Sequence, residues 1–233
     1  MGFRKKILIG SLVLTSLVSG ALGYLNQRQD VVDYIVFDRA MNRRLVQDMG
    51  EQEKILGIKY SGKPKLKYYI PEKLGIARNL YCGYFDYEKN WLHYNIERTD
   101  CDIHSTFRHE LGHFYLHSNC KKENGNCYKY LNSVGDNEFK MAIFNMIEEG
   151  MAEYFDRKIS KKPDNFEDEE YFQDWDRWGT DIFYEGGYHL VKPIIDEFGK
   201  DGIDYLIANF PEEEELFRLP GYRERIREEL TDR

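Results

Sequence analysis

The sequence predicts an α+β fold in which a small, mostly antiparallel sheet precedes a mainly helical remainder. Three observations carry that expectation. Runs rich in aromatic and β-branched residues, bounded by turn residues, occur at 66–70, 81–85 and 91–96. Beyond residue 105, apolar residues recur at helical spacing through most of the chain. The 233 residues allow one sizeable core, with at most an appended subdomain.

Residues 1–25 read as a targeting segment. Arg4, Lys5 and Lys6 form a positive start, Ile7 to Val18 is apolar, and Ser19 to Gly23 are mostly small. Cleavage after Ala21 or Gly23 would release the rest. Uncleaved, residues 7–25 come close to the ~20 needed to span a bilayer, with the basic flank on the cytoplasmic side. No cysteine follows the apolar run, which speaks against a lipid anchor. Either way the folded part is expected outside the cytoplasm, secreted or membrane-anchored.

A segment over 26–62 follows, helical from about 30 to 56 on the spacing of Val32, Ile35, Val36, Met41, Leu45 and Met49. Ser61-Gly62-Lys63-Pro64 marks a turn, and Leu66 to Ile70 a strand closed by Pro71. Tyr81 to Phe85 and Trp91 to Ile96 read as a hairpin with Glu88-Lys89-Asn90 at its turn. Phe107, Leu111 and Phe114 then form a helical stripe, with Ser105 or Thr106 as the cap. A polar loop from Ser118 to Gly135 leads to a second helix, capped by Asp136 and running to about Lys158. An acidic connector with Pro163 covers 161–170. A helical tract follows from about 171 to 198, which Pro193 is expected to kink. Short closing helices are expected over 202–210, 212–219 and 222–230. No internal repeat is present.

The net charge of −8 and the lack of a basic patch speak against a nucleic-acid partner. Tyr and Phe are abundant, suiting an aromatic core or a peptide cleft. The cysteines are Cys82, Cys101, Cys120 and Cys127. An even number in an exported chain favours disulfides. Three pairings are possible, and Cys82–Cys101 with Cys120–Cys127 is favoured: one bridge across the hairpin, one pinning the polar loop.

The stretch with the clearest chemistry is Arg108-His109-Glu110-Leu111-Gly112-His113, an H-E-x-x-H motif. On a helix, His109 and His113 point the same way one turn apart and can grip one zinc ion. Glu110 stands where it can take a proton from a zinc-bound water. A second motif, Glu148-Glu149-Gly150-Met151-Ala152-Glu153-Tyr154, lies on the next helix. His117 continues the histidine stripe. It lies about 12 Å along the axis from His109 at ~1.5 Å per residue, too far to share an ion through ~2 Å bonds. It is expected on the surface or in a layer behind the ligands. Leu116 and Asn119 stand where a metzincin would have Gly and His.

Together HELGH and E-G-x-A-E-Y resemble the gluzincins, zinc peptidases of the thermolysin and aminopeptidase N type. That resemblance covers roughly 65–210. It implies a zincin-like catalytic domain, with the zinc-binding part at 63–160 and a helical part at 161–233 completing the cleft. It implies Glu149 as third ligand beside His109 and His113, and Glu110 as general base. It also implies that the strand ahead of the zinc helix, Trp91 to Ile96, edges the active cleft, where a peptide can add as an extra strand. Glu148 replaces the family's Asn, and the gap from His113 to Glu149 is longer than usual. Tyr184-Glu185-Gly186-Gly187 resembles the family's Y-E-K-G. This implies that Tyr184 hydrogen-bonds the oxyanion, with Tyr188 and His189 in reserve; the alternative is a packed tyrosine. Glu153 is placed either to orient a zinc-bound histidine or to pair with Arg157. The expected function is an exported zinc metallopeptidase acting on a peptide or protein. The rival is a non-catalytic exported zinc-binding interaction domain, for which Glu110 would have no use.

Overall fold

A computed structural model describes residues 34–69, 81–96, 98–120, 138–162, 182–211, 215 and 219–232. The targeting segment, the bulk of the polar loop with Cys127, the Asp136 cap and most of the acidic connector lie outside the described residues. The chain divides into two compact units, 1–44 and 45–233. The described part of the first, 34–44, is helical, as expected, and Asn42 Nδ2 donates to the Asp38 carbonyl at 2.9 Å.

The second unit is mostly helical. Its elements in order are α1 (residues 45–56), β1 (Lys65–Tyr69), β2 (Gly83–Asp86), β3 (Trp91–Asn95), α2 (Ile103–Cys120), α3 (Glu138–Ser160), a π-helical turn (Ile182–Gly186), α4 (Gly187–Ala208) and α5 (Leu219–Thr231). No helix among the described residues is long and apolar enough to cross a membrane.

The α+β class is as expected, but the sheet is mixed rather than mostly antiparallel. Its strand order is β1-β3-β2. The β2–β3 hairpin is antiparallel, with Gly83 opposite Tyr94 and Asp86 opposite Trp91. The Asp86 carboxylate accepts from the Lys89 amide at 3.1 Å, and Asn90 takes a positive φ of 58° to close the turn. β1 pairs with β3 in parallel, Lys65 opposite Trp91. A parallel pair needs a crossover of about a dozen residues or more, and β1 and β3 are far enough apart in sequence for one. β3 is therefore the central strand. The expectation that Trp91 to Ile96 forms the cleft edge is corrected: that edge is β2.

α2 begins at Ile103, earlier than its apolar stripe suggests. Its cap is Asp102 rather than Ser105 or Thr106. The Asp102 carboxylate accepts from the amides of His104 at 2.8 Å and Ser105 at 3.1 Å. The Thr106 hydroxyl instead donates back to the Asp102 carbonyl. Phe107, Leu111 and Phe114 are buried as the spacing requires; a fully buried Leu or Phe contributes roughly 1.5–3 kcal/mol. α2 runs on to Cys120, so the first residues of the predicted loop are helical.

The main core joins α3 and α4, with Ile143, Ile147, Met151 and Phe155 against Leu190, Val191 and Ile194. Pro193 sits within α4, yet the helix breaks at Gly199, whose φ of 56° suits glycine. The Cys82–Cys101 disulfide ties β2 to the segment before α2, as expected. Cys120 is also disulfide-bonded.

Two glycines fix how closely α3 meets the start of α4. A Cβ on Gly150 would fall 2.2 Å from the Gly187 carbonyl carbon, and one on Gly187 2.1 Å from the Met146 oxygen. Neither backbone can yield cheaply. Gly150→Ala is expected to lower stability by about 1–3 kcal/mol. Gly50→Ala, on an exposed helical site with open space around it, is expected to raise stability by about 0.8–1 kcal/mol. Denaturant unfolding of both variants checks this; a neutral Gly150→Ala would contradict the close approach.

Candidate metal centre

α2 and α3 pack antiparallel, and a ladder of polar pairs runs between them. His117 Nε2 lies 2.8 Å from Glu148 Oε1. His113 Nδ1 lies 3.2 Å from the same oxygen, off the line of an aligned hydrogen bond. His109 Nε2 is 3.1 Å from Glu149 Oε2, and His109 Nδ1 is 3.5 Å from Glu153 Oε2. Ser105 Oγ donates to Asp156 Oδ2 at 2.7 Å. The helices can come this close because the contact between them is small. A Cβ on Gly112 would fall 2.5 Å from Ala152 Cα.

Three donors converge at the middle of the ladder. His109 Nε2 and His113 Nε2 are 3.2 Å apart, and Glu149 Oε2 lies 3.1 and 3.5 Å from them. Corners of a tetrahedron about 2.0–2.1 Å from its centre are about 3.3–3.4 Å apart, the spacing zinc ligands require. The donor set of two imidazoles and one carboxylate also fits zinc, and leaves a fourth position open. Among the described residues it is the one cluster of this kind.

The cluster opens into a cavity of about 460 Å³. α2 contributes His109, Glu110 and His113 to its wall, and β2 contributes Gly83, Tyr84 and Phe85. Gly83 lets the strand approach: a Cβ there would meet Thr106 Cγ2 at 2.7 Å and the His93 carbonyl at 2.8 Å. Tyr184 lines the cavity from the π-helical turn, its ring stacked on His109 with centroids 5.8 Å apart. Tyr188 and His189 are buried and do not line it. Tyr188 instead lies under the Arg157 guanidinium, 4.4 Å from the ring centre.

Compared with protein-family models, curated proteins and solved structures, the chain matches none of them.

His117 is not at the surface. It is buried, stacked on Tyr87 at 5.0 Å, and shares Glu148 with His113. Glu153 makes both of the contacts expected as alternatives, reaching His109 with one oxygen and accepting from Arg157 Nε at 2.7 Å with the other. The sequence reading misses the role of Glu148, which no local pattern aims at the histidine stripe. It also misses Asp156 beneath Ser105 and the Arg157–Glu185 pair. Only helix pairing, which no single motif encodes, reveals those two.

Burial would lower the pKa of His109, but its bonds to Glu149 and Glu153 outweigh that and raise it to about 9. Burial likewise opposes charge on His113, while Glu149 and Glu148 raise it well above the usual range. Against the penalty of burial, His109 and Arg157 hold Glu153 down at about 2. Against the same penalty, the histidines hold Glu149 well below the usual range. Burial pushes Glu110 up, with the histidines opposing. Burial, then Glu149, also raises Tyr184, so its phenol stays protonated.

These shifts give an expectation for the pH stability of the metal-free protein. The depressed carboxylates contribute stability that is present above about 4.5 and lost as pH falls toward 2. The raised His109 contributes stability that is full below about 6.5 and lost as pH rises through about 9. Melting temperatures in chelator should therefore be highest between about pH 4.5 and 6.5. The alkaline decline should shrink in His109→Gln. An unchanged alkaline limb in that variant would contradict the pairing.

Proposed function

We propose that this chain is an exported zinc-dependent peptidase of the gluzincin type, hydrolysing peptide bonds of a peptide or protein substrate. The observation that carries the reading is the 3.1–3.5 Å triangle of His109, His113 and Glu149 donors inside a cavity that Glu110 and Tyr184 also line. When bound, zinc would supply Lewis acidity toward a water and the scissile carbonyl.

The protein's own groups do the rest. Glu110, its carboxyl raised by burial, accepts a proton from the attacking water and passes it to the leaving amine. The Tyr184 phenol donates to the oxygen that becomes negative in the transition state. Glu153 and Glu148 keep His109 and His113 oriented. Among the described residues, no strand pairs with the outer edge of β2. That edge borders the cavity, so an extended peptide can add to it by main-chain hydrogen bonds. The apolar residues 7–25 and the Cys82–Cys101 disulfide support export.

Turnover on unfolded protein and peptide libraries, with and without chelator, tests the reading. Glu110→Gln is expected to bind zinc and fold normally yet lose hydrolysis, because an amide cannot accept the proton. Wild-type turnover in Glu110→Gln would remove Glu110 as the base. Zinc binding with no turnover in the wild-type chain would favour a non-catalytic zinc-binding domain.

Tyr184→Phe is expected to lower kcat by about 10²–10³ with KM little changed, the loss typical of one oxyanion donor. A packed tyrosine would show reduced melting temperature and near-normal kcat instead. Should Tyr188→Phe lose the rate while Tyr184→Phe keeps it, the oxyanion role belongs one helical turn further on.

A further inference from the structure

Arg157 does not line the cavity, yet it touches groups that serve two of its walls. Its side chain is 10 % exposed. Nε donates to Glu153 Oε1 at 2.7 Å, and Nη2 donates to Glu185 Oε1. The guanidinium carbon lies over the Tyr188 ring, 4.4 Å from its centre. The other oxygen of Glu153 is 3.5 Å from His109 Nδ1. Glu185 is the neighbour of Tyr184 in the π-helical turn.

We propose that Arg157 is a positioning residue that holds the metal ligand His109 and the phenol of Tyr184 in one register, through Glu153 on one side and Glu185 on the other. The proposal rests on the zinc-peptidase reading. His109 stands on α2, Glu153 and Arg157 on α3, and Tyr184 on the π-helical turn, so nothing covalent nearby fixes phenol against imidazole. The Gly150–Gly187 contact sets how near the backbones come, but two flat backbones can still slide. A planar guanidinium bonded to a carboxylate on each element resists that slide, because its donors diverge in a fixed fork. A π-helical turn is rare and marks an irregular register; Arg157 anchors it from the α3 side. Glu153 and Glu185 would also repel across this buried space without a cation between them. Lysine keeps the charge but offers a single point and no flat face, so it satisfies one carboxylate at a time.

The test measures zinc affinity by competition titration, and kcat and KM on a cleaved peptide, for wild type, Glu153→Gln, Glu185→Gln and Arg157→Lys. Melting temperature confirms that each is folded. Orienting partners of metal ligands typically contribute about 10–100-fold in affinity or activity. Glu153→Gln should weaken zinc by about 10-fold or more on that scale. Glu185→Gln should keep zinc affinity and KM while lowering kcat about 10-fold, and should cost nothing further in Tyr184→Phe. Arg157→Lys should lose on both counts, with no added zinc loss in Glu153→Gln. A merely structural role would not split the two readouts in this way.

Wild-type zinc affinity and kcat in Arg157→Lys would overturn the proposal. So would losses that add fully to those of Glu153→Gln and Tyr184→Phe. A wild-type chain that binds zinc and cleaves nothing defeats the peptidase reading instead. Arg157 is then judged on the zinc titrations: unaltered affinity in Arg157→Lys overturns the role, and a loss shared with Glu153→Gln upholds it.

Discussion

The constraint on which the site depends is the close approach of α2 to α3 at Gly112 and Ala152. With a Cβ at Gly112 the helices would collide, Cβ to Cα, at 2.5 Å. Large side chains there would push the axes toward the upper end of the usual ~8–10 Å separation. Short carboxylate arms on α3 would then fall away from the imidazoles on α2. At the observed distance each turn of one helix meets a turn of the other, and the ladder from His117 to Ser105 closes. The other walls reach the same pair of helices through glycine as well. Gly83 brings β2 against Thr106, and Gly187 seats the turn bearing Tyr184 on α3.

Such a ladder is costly to build. Glu110, His113 and His117 are all buried, and Glu148, Glu149 and Glu153 are mostly so. Buried charges destabilise unless paired, and even paired ones rarely beat an apolar replacement. The protein offsets the cost on the opposite faces of the same helices. Phe107 and Leu111 on α2, and Ile147, Met151 and Phe155 on α3, are completely buried. Zinc would relieve the crowding further, since its two positive charges replace the protons that otherwise hold His109 and His113 against three carboxylates.

What the sequence reveals follows from what lies within one helix. His109 and His113 are legible because the α-helical period alone puts them on one stripe. Glu149 is legible only through its resemblance to a known motif; nothing in residues 148–153 says which helix they face. The place of β3 is not legible for a related reason. Strand order depends on partners, and a strand's own residues do not state whether it is flanked on one side or two. The Asp102 cap is not legible because the apolar stripe of α2 starts later than its hydrogen bonding. The contacts of Glu148 and Asp156 with α2 appear only once α3 is laid antiparallel on it.

The central claim is that His109, His113 and Glu149 form one zinc site, and the most direct measurement is zinc stoichiometry and affinity of the purified protein beside Glu149→Ala and Glu148→Ala. The account predicts one zinc per chain, bound far more weakly in Glu149→Ala than in Glu148→Ala. Full zinc retention in Glu149→Ala, with loss in Glu148→Ala, would contradict it.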